Sequence, residues 1–80
     1  MDFSNKSILD IGCGRADLFS YLKDQYTNIE YCGCDISDQM IQIAASKFPD
    51  LNFLNQDFMK LTDITADIVI ASGVFSHIQN

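Results

Sequence analysis

The chain has 80 residues, 48% of them hydrophobic and 20% charged, and carries a net charge of −6. That length allows one small domain burying roughly 60% of its unfolded surface, and that composition excludes a disordered chain. The charge excludes a general binder of phosphate backbones, because the basic residues Lys6, Arg15, Lys23, Lys47 and Lys60 are scattered and form no stripe. Residues 1–7 read as a polar lead-in, without the basic start and apolar run of a signal peptide. Residues 8–11 are apolar apart from Asp10 and predict a strand covered on both faces. Gly12 and Gly14 then predict a turn.

A helix is predicted over 15–26, with Leu18, Phe19, Leu22 and Tyr26 at helical spacing. A second strand is predicted over 29–34, ending at Asp35. Ser37 is a suitable N-cap for a helix over 38–48 that buries Met40, Ile41, Ala44, Ala45 and Phe48 and stops before Pro49. Strands are predicted over 51–54 and 66–71, and a further helix begins at 74. Tyr21, Tyr26 and Tyr31 read as packing residues, and Phe19, Phe48, Phe53 and Phe58 as core. This alternation predicts an α/β fold with a parallel sheet. Right-handed crossovers carry the chain from strand 1 to 2 to 3 along one face. The fourth strand returns over the other face to the free side of strand 1, giving the order 3-2-1-4. The second face is then thinly covered, and strand 4 is an open apolar edge able to pair with another chain.

Cys13, Cys32 and Cys34 are odd in number and lack metal-ligand spacing, so they read as reduced thiols of a cytoplasmic protein. No metal site is expected, and no run approaches the ~18 apolar residues of a membrane span. Asp10, Asp35 and Asp57 all fall at or just after the carboxyl ends of predicted strands, where open parallel sheets bind ligands. The turn after strand 1 is not a dinucleotide fingerprint, since Asp17 stands where the third glycine of G-x-G-x-x-G belongs. Two acids there would repel a pyrophosphate but suit a ligand bearing an ammonium group, a sulfonium and free hydroxyls. Asp35 lies about twenty residues past the turn, where a ribose-binding acid belongs. By itself it could also simply cap the next helix; the company of Asp10, Gly12 and Gly14 favours a ligand.

The run Asp10-x-Gly12-x-Gly14 resembles motif I of the class I S-adenosylmethionine-dependent methyltransferases. Tyr31-Cys32-Gly33-Cys34-Asp35-Ile36-Ser37 is similar to the family's second motif, and Asn55-Gln56-Asp57-Phe58 to its third. The run from Asp67 to Ile78, containing Ser72, Phe75 and His77, resembles motif IV. The resemblance implies a three-layer Rossmann-like fold with S-adenosylmethionine as cofactor. It implies a site of Asp10, Gly12, Cys13, Gly14, Asp35, Ile36, Gln56, Asp57, Phe58 and Ser72. Asp35 would hold the ribose diol, Ile36 would pack on adenine, and Asp57 would accept from its amino group. A third glycine frequent in the family is Ala16 here, tolerable where φ is negative.

The family's fold has seven strands, so residues 1–80 are expected to be one partial domain, truncated and inactive alone. The function expected is the cofactor-binding portion of a methyltransferase, acting on a small molecule rather than a nucleic acid or membrane. The alternative is a non-catalytic nucleoside-binding or docking module. No catalytic residue is assigned: His77, the only histidine, has no partner in the sequence to orient it.

Overall fold

The computed structural model describes residues 2–57 and 65–71. Within them lie β1 (Ser7–Ile11), α1 (Asp17–Leu22), β2 (Glu30–Cys34), α2 (Asp38–Lys47), β3 (Asn52–Leu54) and β4 (Ile68–Ile70). All strand pairs are parallel, and the sheet order is β3-β2-β1-β4, as the crossover argument requires. The register sets Ile8 against Tyr31 and Ile68, Asp10 against Gly33 and Ile70, and Gly33 against Phe53. Partners in register share a face, and alternate residues take opposite faces. One face therefore carries Ile8, Asp10, Tyr31, Gly33, Phe53, Ile68 and Ile70, and the other Leu9, Cys32, Cys34 and Val69.

The core lies between the first face and the two helices. Ile8, Ala16, Leu22, Tyr31 and Ala44 are its buried centre, with Leu18, Phe19, Phe48 and Phe53 packed around them. A chain of rings crosses four elements: Phe48 meets Phe19 at 5.0 Å, Phe19 meets Tyr31 at 5.1 Å, and Tyr31 meets Phe53 at 6.1 Å. Such pairs stabilise by about 0.5–1.5 kcal/mol each beyond the area they bury. On the second face Leu9 and Cys34 are buried, whereas Val69 is 57% exposed.

Helix α2 forms as its sequence directs. The Ser37 hydroxyl accepts from the Met40 N–H, Asp38 lies in the first turn and Lys47 in the last, each matched to the nearer end of the helix dipole. Ala45 departs from expectation: it is exposed, and Ala44 alone in this helix is fully buried. The two are about 100° apart on the helix, and the sheet meets only one of them.

Helix α1 is shorter than the predicted 15–26. It cannot begin earlier because Ala16 has φ 64°, in the left-handed region, and it gives way after Leu22 to a turn in which the Gln25 and Tyr26 N–H groups share the Leu22 carbonyl. Tyr26 still packs, edge-on to Phe3 at 5.1 Å. Tyr21 does not: it is 63% exposed, since α1 presents only one side to the sheet.

Candidate functional site

The turn after β1 is built on residues 12, 14 and 16, which all have positive φ: Gly12 at 71°, Gly14 at 55° and Ala16 at 64°. Glycine takes such angles without penalty, whereas a side chain there costs about 1–2 kcal/mol. Ala16 thus departs from the negative φ under which it would be a neutral replacement for glycine. Its methyl is fully buried in the core, which offsets part of the strain.

Residues of β2, and Asp35 directly after it, hold this turn. The Cys34 carbonyl accepts from both the Gly12 and Cys13 N–H groups, at 2.8 and 3.0 Å. Asp35 Oδ2 accepts from the Gly14 N–H at 2.9 Å, and Asp35 Oδ1 from the Ser37 N–H at 2.9 Å. Gly33 leaves a notch that Cys13 fills, since a Cβ on Gly33 would lie 2.8 Å from Cys13 Sγ and 2.9 Å from Phe53 Cδ1. Further back, the Tyr31 hydroxyl donates to Asp10 Oδ2 at 2.6 Å.

Asp35 is half-buried and Ile36 beside it is 76% exposed, a large apolar side chain facing open space at a strand end. Each Asp35 oxygen retains acceptor capacity beyond the one amide it holds. Where a Gly14 side chain would stand there is nothing within 4 Å. This opening beside a braced carboxylate suits a ligand with a vicinal diol, because no side chain blocks close approach to the backbone.

Asp10, in contrast, is fully buried. No part of it reaches the surface, so it could act on a ligand only through the turn's backbone or through its field. The Cys13 thiol is pushed up to about 12, first by burial and then by the negative charges of Asp10 and Asp35. It is a neutral packing group at ordinary pH, not a nucleophile.

The loop carrying Gln56 and Asp57 is tied to the end of β2. The Asp35 N–H donates to the Leu54 carbonyl at 3.0 Å, the Asn55 amide to the Asp35 carbonyl at 3.1 Å, and the Cys34 thiol to the Gln56 carbonyl at 3.0 Å. Gln56 and Asp57 are both exposed. Phe58, Ser72, Phe75 and His77 lie outside the described residues.

Four residues of this framework were not singled out from sequence: Tyr31 as a donor, Gly33 as a notch, Asn55, and Lys47, whose ammonium donates to the Arg15 carbonyl at 3.1 Å. Gly33 had a legible signal, a glycine inside a strand, which often marks close approach of another chain segment. For Lys47, thirty-two residues from Arg15 in sequence, there was none.

Residues 9–80 match the methyltransferase-domain family. The chain belongs to the class I S-adenosylmethionine-dependent methyltransferases. A Mycobacterium tuberculosis protein bearing a methyltransferase name is 38% identical over 72 residues, 88% of this chain and 42% of that protein. Among solved structures, the plantazolicin methyltransferase BamL, in complex with a triazolic desmethylPZN analog and SAH, is 32% identical with TM-score 0.66, over 79% of this chain and 25% of its own. A Listeria monocytogenes protein named as an S-adenosylmethionine-dependent methyltransferase has the same fold, with TM-score 0.74 at 23% identity, over 89% of this chain and 35% of its own. The chain thus spans less than half the length of each of these relatives.

Proposed function

We propose that this chain holds S-adenosylmethionine across the carboxyl ends of β1, β2 and β3, within a protein that methylates a small-molecule acceptor. The observation that carries the reading is the Gly14 N–H held on Asp35 Oδ2 at 2.9 Å, with open space on the side-chain side of Gly14. In this reading Asp35 takes the ribose hydroxyls and Ile36 packs against adenine. Asp57 accepts from the adenine amino group and the Phe58 amide meets the ring. Gly12, Cys13 and Gly14 present backbone to the methionine end, with Asp10 behind them, and Gln56 and Ser72 border the site.

When bound, S-adenosylmethionine supplies a methyl group already activated by its sulfonium. What the residues of this chain contribute is therefore orientation. For thiol and amine acceptors a catalytic base is optional. The net charge of −6 supports a small acceptor over a polyanion. Three free thiols support a reducing, cytoplasmic setting, and among the described residues no helix is long and apolar enough to cross a membrane.

Calorimetric titration with S-adenosylhomocysteine tests the reading. The Asp35→Ala chain should bind at least about tenfold more weakly, a loss of ~1.4 kcal/mol, since two charge-assisted hydrogen bonds disappear. Unchanged affinity removes Asp35 from the ribose. Tighter binding of NAD than of S-adenosylmethionine overturns the cofactor.

A further inference from the structure

Asp10 is the only charged side chain that is fully buried among the described residues. Its Oδ2 accepts the Tyr31 hydroxyl at 2.6 Å, a short O–H···O bond. Tyr31 is itself 4% exposed, with its ring fixed between Phe19 and Phe53. Burial first, and then the bond to Asp10, push its hydroxyl far above the ordinary range, so it remains a donor at any working pH. A phenylalanine would pack the same ring space. An apolar residue in place of Asp10 would avoid the cost of burying a carboxylate. Core stability alone does not account for the pair.

Its position does. Asp10 is the last residue but one of β1, and Gly12, Cys13 and Gly14 depart directly beyond that strand. Over Gly33, the register partner of Asp10, sits the Cys13 thiol. The hydroxyl thus reaches past the glycine notch to seize the strand end from which the turn springs.

Building on the cofactor reading above, we propose that Tyr31 is a positioning residue for the cofactor turn, acting through Asp10 to fix the backbone of Gly12, Cys13 and Gly14.

The test compares the full chain with Tyr31→Phe, Asp10→Ala and the double variant by S-adenosylhomocysteine calorimetry. Phe19→Leu, which trims the ring beside Tyr31 but spares the hydroxyl, is the packing control. Tyr31→Phe should weaken binding about tenfold, and Asp10→Ala at least as much, while the double variant loses no more than the worse single one. Phe19→Leu should lower the melting temperature at least as far and leave affinity within about twofold. Unchanged affinity in Tyr31→Phe, or additive losses in the double variant, overturns the proposal.

Should Tyr31→Phe fail to fold, Asp10→Asn decides, because it keeps an acceptor for the hydroxyl. Asp10→Asn must bind at least about threefold more tightly than Asp10→Ala, since both lack the charge and only the first holds the hydroxyl, and equal losses overturn the proposal. If the wild-type chain binds no S-adenosylhomocysteine, the cofactor reading fails on its own account. Amide hydrogen exchange at Gly12, Cys13 and Gly14 then decides for Tyr31: faster exchange in Tyr31→Phe than in Phe19→Leu supports the brace, and equal rates overturn it.

Discussion

Gly33 shows how one absent side chain shapes the site. The space where its Cβ would stand is taken by Cys13 Sγ on one side and Phe53 on the other, both closer than 3.0 Å. A methyl added there must push the thiol outward and the turn with it. Gly33→Ala should therefore destabilise the chain by about 1–3 kcal/mol, the usual cost of overpacking a core. Adding Cys13→Ala should recover part of that loss, because the nearest clashing atom is gone while Phe53 remains. Urea unfolding of the two variants checks this, and an unmoved midpoint in Gly33→Ala would mean that the notch is slack.

Among the elements, β4 is three residues long and rests on a clasp at its start. Asp67 Oδ2 accepts from the Ser7 N–H at 3.0 Å and from the Ser7 hydroxyl at 3.3 Å, while the Asp67 N–H donates to the Ser7 hydroxyl at 2.8 Å. The Ser7 amide first, and its hydroxyl second, hold the Asp67 carboxyl below the ordinary value of 3.8. A group depressed in the folded state contributes its stability above the unfolded pKa. The contribution fades as pH falls below 3.8 and through the folded value. Wild type should thus be more stable than Asp67→Asn near neutrality, and the gap should close in acid. Denaturant midpoints of both chains at about pH 6 and about pH 2.5 measure it, and a gap of equal size at both values would sink the clasp as a charged contact.

At the scale of the molecule, the two helices and the ring chain lie on one face of the sheet, and β4 pairs with β1 alone among the described residues. Val69, on the other face of that edge strand, is 57% exposed. An apolar edge with unpaired backbone groups is a template for another strand. The 80-residue chain is expected to self-associate at micromolar concentration or to be only marginally stable, and we further expect it to transfer no methyl group by itself. Sedimentation velocity checks the first expectation, and a single monomer that unfolds cooperatively contradicts it. Turnover of any acceptor by that monomer contradicts the second.

The sequence by itself determined the order of the described elements, because this follows from local chemistry. Ser37 caps a helix and Pro49 ends it, glycines at 12 and 14 permit positive φ, and apolar runs between helical spacings dictate a parallel sheet. Even the strand order followed, since the handedness of crossovers leaves few arrangements. Tertiary structure alone decided how the site is held. Ala16 takes a left-handed angle against its local preference, and the burial of its methyl offsets part of that strain. Tyr31 meets Asp10 across twenty-one residues of sequence. Periodicity can place both on one face of a sheet, but only the register of β1 against β2 aims a hydroxyl at a carboxylate.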